Sequence, residues 1–201
     1  MVRAAPRNIP IAVPRMPETD ALLPYLRRID EARYYSNFGP LIGEFEARAA
    51  SSLVVAPEAL TTMLSGTAAL TLALRAGNAA PGTLCLMPAW TFPASAHAAR
   101  EAGLTPFFAD VARESWALTP KISRAALRRA PAKLGAVMPV APFGAPIYYA
   151  PWDCFAEETG IAVVIDGAAA FDTARRWRSA SMPRKYWAWG RAVYWCRATM
   201  I

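Results

Sequence analysis

The stretch IAVVIDGAAAFD, residues 161–172, decides how the rest of the chain is interpreted. Its first five residues are apolar and mostly β-branched, and this pattern predicts a strand buried inside a parallel sheet. The strand ends on one acidic residue, Asp166, and only Gly and Ala follow it directly. Ligands bind at the carboxyl ends of the strands in open α/β sheets. A lone carboxylate there leaves room for a flat cationic ring, and its alternative role is to cap the strand end.

The sequence before this stretch alternates strands with helices. Strands are predicted at 84–89, 104–111, 134–141 and 161–165, and helices at 19–32, 41–50, 65–74, 94–102, 118–129 and 152–159. Repeated strand–helix–strand units build a parallel sheet that helices cover on both faces. We therefore predict an α/β fold, a three-layer sandwich with a mostly parallel sheet.

Composition limits the class of protein. The 201 residues suit one domain or a fragment of a larger one, and a hydrophobic content of 55% supplies a core. No apolar run reaches the ~20 residues that span a bilayer, and the amino end lacks the apolar segment of a signal peptide. Three widely spaced cysteines, Cys85, Cys154 and Cys196, fit a reducing compartment. We expect a cytoplasmic protein with no membrane segment and no metal site.

Residues 174–201 differ abruptly from the rest of the chain. They hold seven of the 22 Lys and Arg residues and none of the 15 Asp and Glu residues, so they account for the net charge of +7. They also hold four of the seven tryptophans. Such a shift marks a boundary. We divide the chain into an N-terminal segment (1–36), a sheet domain (37–173) and an aberrant basic and aromatic tail (174–201).

Two stretches add candidate ligand contacts to Asp166. Ser65-Gly66-Thr67 opens a helix, where free N–H groups and the helix dipole favour a phosphate, although Ser and Thr also cap helices for structural reasons. PAWTFPAS, residues 88–95, places Trp90 and Phe92 just past a strand end, where an aromatic side chain either covers a flat ligand or joins the core. Together with Asp166 they would supply the phosphate clamp, ring cover and pyridinium partner that pyridoxal phosphate requires.

Six stretches, in order and approximate spacing, resemble the DegT-type nucleotide-sugar aminotransferases of the fold-type I pyridoxal-phosphate superfamily. They are YYSNFGPLIGEFE, LSGTAALTLAL, MPAWTFPAS, GLTPFFADV, MPVAPFGAP and VVIDGAAAFD. The resemblance covers residues from about 8 to 173. It implies an incomplete fold-type I large domain, pyridoxal 5'-phosphate as cofactor, and a homodimer that moves an amino group from an amino acid onto a keto sugar nucleotide.

The resemblance also implies roles for individual residues. Gly66 and Thr67 would bind the cofactor phosphate, and Phe92 would stack on the pyridine ring. Asp166 would act in catalysis by pairing with the ring nitrogen, and Ala168 would pack beneath the ring.

Two features depart from the family's pattern. Ala169 stands where many relatives carry Gln or His, and it cannot make their polar contact. The family's next motif resembles S-L/F-H-A-T-K followed by G-x-G-E-G-G, and neither part appears here. Its lysine forms the Schiff base with the cofactor and shuttles the proton. We interpret the chain as a truncated aminotransferase that is catalytically incomplete. A rival interpretation keeps Lys185 as the Schiff-base residue, because it lies at nearly the expected distance after Asp166.

A shifted reading frame explains the missing motif. Met and Trp have single codons, so the third base of one codon and the first two of the next partly define the shifted residues. Met182–Pro183 then gives Ala, Tyr186–Trp187 gives Leu, and Trp187–Ala188 and Trp189–Gly190 each give Gly. Suitable codons elsewhere complete H-A-T-K-x-L-G-x-G-E-G-G. We hypothesise that residues from about 175 onward are read out of frame, through a frameshift or a sequencing error.

This hypothesis predicts an unstable chain. The family's sheet would continue with two further interior strands and a small carboxyl-terminal domain. Without those strands, edges and apolar surface would be exposed.

A second hypothesis treats the tail as genuine. Interleaved cationic and aromatic side chains bind nucleic acid or an anionic membrane in other proteins. In that case the chain would be a non-catalytic binding protein.

Overall fold

A computed structural model describes residues 16–36, 38–53 and 55–170, together with the backbone of 185–189 and 192–196. The chain forms two compact units, residues 1–43 and 44–201. Helix α1 (Thr19–Ala32) makes up most of the described part of the first unit, and none of its residues is buried. It ends at Arg33, whose backbone is left-handed (φ 48°). Helix α2 (Pro40–Leu53) begins in the first unit and ends in the second.

The second unit alternates strands and helices. In chain order its further elements are β1 (Leu60–Thr62), α3 (Gly66–Ala76), β2 (Leu84–Pro88), α4 (Pro93–Glu101), β3 (Thr105–Ala109), α5 (Pro120–Leu127), β4 (Leu134–Val137), α6 (Ala150–Thr159), β5 (Ala162–Asp166), β6 (Lys185–Trp189) and β7 (Ala192–Cys196). The second unit also contains short 3₁₀ turns at Pro57–Ala59 and Pro142–Gly144.

The strands form one seven-stranded sheet in the order β1-β7-β6-β5-β4-β2-β3. β7 is antiparallel to both of its neighbours, β1 and β6. The pairings of β6 with β5, β5 with β4, β4 with β2 and β2 with β3 are parallel. β1 therefore runs in the same direction as β5, and six strands end at the same edge of the sheet.

Side chains alternate between two buried clusters along the central strands. Val164 and Met87 pack with α3 and α4 on one face, whereas Ile165 and Leu86 pack with α6 on the other. This alternation follows from the two-residue period of a strand, and it gives each face its own core. The predicted three-layer α/β sandwich with a mostly parallel sheet is confirmed.

Most predicted elements lie within two or three residues of the observed ones. The helix predicted at 19–32 has the observed bounds, and the strand predicted at 161–165 is shifted by one residue, so Asp166 belongs to β5 itself. Helix ends fray and turn signals are local, which explains the small differences.

The expected absence of two interior strands is wrong. β6 and β7 lie between β5 and β1, and their backbones pair over three to five residues with each neighbour. The physical reason is the strand propensity of KYWAW and AVYWC, which are rich in aromatic and β-branched residues. The interior edges that we expected to be open are therefore paired.

Among the described residues, no helix has both the length and the apolar character needed to cross a membrane.

Candidate functional site

The predicted site residues lie at the carboxyl-terminal edge of the sheet. Asp166 is the last residue of β5, and Phe92 lies between the end of β2 and the start of α4. Gly66 and Thr67 open α3 shortly after β1 ends at the same edge. The strand order therefore brings segments from three distant parts of the sequence to one edge.

Asp166 is buried, with only 6% of its surface exposed. Its Oδ2 accepts a hydrogen bond from the Ser95 hydroxyl at 2.9 Å, and its Oδ1 accepts one from the Ala168 N–H at 3.1 Å. Burial raises the pKa of the Asp166 carboxyl above its ordinary value of 3.8, and these two hydrogen bonds oppose that rise. A positive ligand group would stabilise the carboxylate in such surroundings.

The backbone around Asp166 is fixed by the segment that follows β4. The Asp166 N–H donates to the Pro139 oxygen, and the Asp166 oxygen accepts from the Ala141 N–H, each at 2.9 Å. Val140 forms a parallel bridge with Asp166. The carboxylate therefore projects from a residue whose backbone N–H and carbonyl groups are both hydrogen-bonded to the segment after β4.

The first turn of α3 has the features of an anion site. The Ser65 side chain caps the helix by accepting from the Ala68 N–H at 3.2 Å, and the Ser65 backbone oxygen accepts from the Ala69 N–H. The first N–H groups of a helix have no partner within it. Within the part of the chain that the structure describes, the Gly66 and Thr67 N–H groups are therefore left for a ligand, and the helix dipole favours a negative one.

Two aromatic residues near the end of β2 differ in their surroundings. Phe92 is 77% exposed at the N-cap of α4. Trp90 instead packs against Trp116 and Phe143, with ring centroids 5.1 and 5.9 Å away. Phe92 therefore has the freedom to cover a ligand, while Trp90 belongs to an aromatic cluster that the sequence did not reveal.

The small residues after β5 form a turn at the site. Ala168 and Ala169 are exposed, and Ala168 reaches Asp166 through its backbone N–H rather than its side chain. Gly144 lies against this turn, because a Cβ at Gly144 would come within 2.8 Å of the Ala169 backbone oxygen. Two loops of the edge thus pack tightly.

Lys185 begins β6, and its backbone lies toward the amino-terminal edge. Asp166 pairs in register with Ala188, and parallel strands rise about 3.3 Å per residue. The Lys185 backbone therefore lies about 10 Å back along the strand from the level of Asp166. The Lys185 side chain and residues 171–184 lie outside the described residues. The roles predicted for Lys185 and for a shifted frame stay predictions.

Sequence reasoning missed Ser95, whose hydroxyl lies between Thr91 and Asp166 and contacts both. It is fully buried in a helix that is otherwise rich in alanine, and its Oγ lies 2.7 Å from the Thr91 Oγ1. The available sequence signal for Ser95 was a single hydroxyl residue four positions after Thr91. Among the described residues, no group of His, Cys, Asp and Glu could hold a metal ion.

Comparisons with known proteins give a family match. Residues 18–180 match the sequence profile of the DegT/DnrJ/EryC1/StrS aminotransferase family. A dTDP-4-amino-4,6-dideoxy-D-glucose transaminase of Escherichia coli is 29% identical over 174 residues, which cover 82% of this chain and 43% of that protein.

Solved structures show the same fold. The structure of DesI in the presence of its TDP-sugar product is 29% identical with a TM-score of 0.70, and the match covers 88% of this chain and 46% of that one. A PLP-dependent aminotransferase structure from Bacillus cereus has a TM-score of 0.78 at 24% identity, covering 94% of this chain and 54% of that one. The chain thus spans about half the length of these relatives, and its fold is an incomplete fold-type I aminotransferase fold.

Proposed function

The chain belongs to the DegT/DnrJ/EryC1/StrS aminotransferase family, and we propose that its sheet edge is the pyridoxal 5'-phosphate site of a keto sugar nucleotide aminotransferase. The buried Asp166 carboxylate at the end of β5 is the observation that carries the proposal. Its burial makes an ionised state costly unless a positive group pairs with it. A protonated pyridine nitrogen is such a group.

The residue types at this edge match the chemical groups of the cofactor. Gly66 and Thr67 would bind its phosphate through free N–H groups at the start of α3. Phe92, exposed at the start of α4, would cover the ring, and Ala168 would leave space beneath it. When bound, pyridoxal phosphate supplies an electron sink for reactions at an amino acid.

Asp166 would hold a proton on the ring nitrogen. The hydrogen bonds from Ser95 and Ala168 favour its ionised form, so the carboxylate can act as the acceptor for an N–H group. A carboxylate with two oxygens has about four acceptor positions, and two are occupied within the described residues. At least one position is thus left for the ligand.

The relatives' names support the proposed class of substrates. The Escherichia coli relative acts on a dTDP-linked amino sugar, and DesI was solved with a TDP-sugar product. We infer a keto sugar nucleotide as the amino acceptor and an amino acid as the donor, acting in a homodimer. The free thiols Cys85 and Cys154 support a cytoplasmic setting.

We further propose that this chain holds the cofactor without the family's covalent lysine. The motif S-L/F-H-A-T-K is absent from the sequence. The Lys185 backbone lies at the first residue of β6, whereas Asp166 pairs with Ala188 near the other end of that strand. Transamination would then be lost while cofactor binding is retained. The pairing of β6 and β7 in the sheet favours this account over a free tail that binds nucleic acid or a membrane.

A binding titration tests the proposed cofactor site. The full chain should bind pyridoxal 5'-phosphate, and Asp166→Asn should weaken binding by about tenfold or more. Asp110→Asn is the matched control, because Asp110 follows the end of β3 at the same edge of the sheet but is exposed. Equal affinity in all three proteins would remove the basis for the proposal.

Resequencing the DNA across codons 170–201 and beyond tests the missing lysine. One base missing or extra would restore the lysine motif and make the protein a complete sugar aminotransferase. An unchanged frame would mean that any transaminase activity depends on Lys185, and Lys185→Ala should then abolish that activity.

A further inference from the structure

The hydrogen bonds around Asp166 have a defined direction. The ionised carboxylate can only accept, so the Ser95 hydroxyl donates its single proton to Oδ2. The Ser95 oxygen must then accept from the Thr91 hydroxyl, which lies 2.7 Å away. Thr91, Ser95 and Asp166 therefore form a chain of donors that points at the carboxylate.

We propose that Ser95, oriented by Thr91, is a positioning residue that keeps Asp166 ionised and fixes its orientation toward a cationic ligand group. The identity of that group as a pyridinium rests on the proposed function. The effect of Ser95 on the carboxylate itself does not, because both residues and their contact belong to this chain.

Burial makes the Ser95 hydrogen bond difficult to replace. Ser95 has no exposed surface, so water cannot take its place as a donor without opening the helix packing. Ala168, the other donor to Asp166, is exposed, and water could substitute for its N–H. Loss of the Ser95 hydroxyl would therefore leave Oδ2 buried without its donor, which disfavours the carboxylate.

Thr91 supplies the second link. A hydroxyl that accepts a hydrogen bond becomes a stronger donor, because hydrogen bonds in a chain polarise one another. Thr91 is partly buried near the end of the loop that leads into α4, and Phe92 follows it directly. The same short loop therefore carries both the ring cover and the support of the carboxylate.

The alternative is that Ser95 is a small residue chosen only for packing. The chain offers a matched control for this, because Ser123 is also fully buried on a helix. Its Oγ has no hydrogen-bond partner among the described residues. Ser95→Ala and Ser123→Ala delete the same atom from equally buried positions, and only the first removes a donor to Asp166.

Carbon-13 NMR of the full chain, labelled at the aspartate carboxyl groups, measures the effect directly. The Asp166 signal is identified by its disappearance in Asp166→Asn. Ser95→Ala should raise the titration midpoint of Asp166 by about one pH unit. Thr91→Val should raise the midpoint by less. Ser95→Thr and Ser123→Ala should each give the midpoint of the unmodified chain.

An unchanged midpoint in Ser95→Ala would overturn the proposal. If Ser95→Ala does not fold, Thr91→Val decides the outcome, since Thr91 is only partly buried. A Thr91→Val midpoint equal to that of the unmodified chain would count against the donor chain.

Pyridoxal 5'-phosphate affinity separates this inference from the proposed function. If the Asp166 midpoint moves in Ser95→Ala but Asp166→Asn binds the cofactor normally, the positioning role stands and the cofactor site fails. If Asp166→Asn loses cofactor and Ser95→Ala moves neither the midpoint nor the affinity, the cofactor site stands and the positioning role fails.

Discussion

The Ser95 hydroxyl donates to the Asp166 carboxylate at 2.9 Å across a separation of 71 positions in the sequence. The sheet order explains the contact. Ser95 lies in the first turn of α4, directly after β2, and Asp166 ends β5, with only β4 between those two strands. Parallel strands bring their carboxyl ends to one edge, so residues from distant units meet there.

The stability of the chain should depend on pH through Asp166. Burial raises the pKa of this carboxyl above the unfolded value of 3.8, so the folded state holds the proton more tightly. The resulting stabilisation is fully present below pH 3.8 and is lost as the pH rises through the folded pKa. Denaturant unfolding of the chain and of Asp166→Asn at several pH values measures this. As the pH rises, the unfolding free energy of the unmodified chain should fall relative to that of Asp166→Asn. A rise relative to Asp166→Asn would contradict the expected direction.

Gly144→Ala should destabilise the folded chain more than Gly160→Ala. Both glycines have positive φ, +81° and +68°. A Cβ at Gly144 would meet the Ala169 backbone oxygen at 2.8 Å, whereas one at Gly160 would meet nothing within 4 Å. We expect a cost of about 1 kcal/mol at Gly160 from the left-handed backbone alone, and about 3 kcal/mol at Gly144 when steric strain is added. Equal unfolding free energies for the two variants would show that the Gly144 contact is not tight.

Glu46 should contribute to stability by holding β1 beside α2. Its Oε1 accepts from the Thr62 N–H at 2.7 Å and from the Thr62 hydroxyl at 2.8 Å. Glu46→Ala should cost about 2 kcal/mol, because hydrogen bonds to a charged group are stronger than neutral ones. Glu44 on the same helix forms an ion pair with Arg48, and Glu44→Ala should cost less than about 0.5 kcal/mol. Chemical denaturation of both variants tests the contrast, which fails if Glu44→Ala is the more costly change.

Thiol labelling should distinguish Cys85 from Cys154. Desolvation by burial raises the pKa of the Cys85 thiol to about 12, so almost no reactive thiolate forms at neutral pH. Cys154 is exposed. Mass spectrometry after brief treatment with iodoacetamide should find the label on the Cys154 peptide and not on the Cys85 peptide. Labelling of Cys85 at the rate of Cys154 in the folded chain would mean that the core opens readily.

Some parts of the site could be predicted from the sequence because their signals are local. The apolar run before Asp166 has the pattern of a buried strand, and Ser65 precedes a helix in the way that N-caps do. Each signal needs only neighbouring residues, so each predicted feature lies close to where it was expected.

Other parts depend on the strand order, which no local pattern provides. The Ser95–Asp166 hydrogen bond needs β2 and β5 to lie one strand apart, and the packing of Trp90 on Trp116 needs two loops to meet. The last two strands were misjudged for a different reason. The basic and aromatic composition of residues 174–201 obscures the strand propensity of β6 and β7.

Nitrogen-15 NMR of pyridoxal 5'-phosphate labelled at its ring nitrogen, bound to the full chain, tests the central claim most directly. We expect a protonated ring nitrogen at neutral pH in the unmodified chain, because an ionised Asp166 would hold the proton there. Asp166→Asn should return the nitrogen to its unprotonated state, while Asp110→Asn should not. A bound cofactor whose nitrogen has the same protonation state in all three proteins would contradict the claim that Asp166 is its partner.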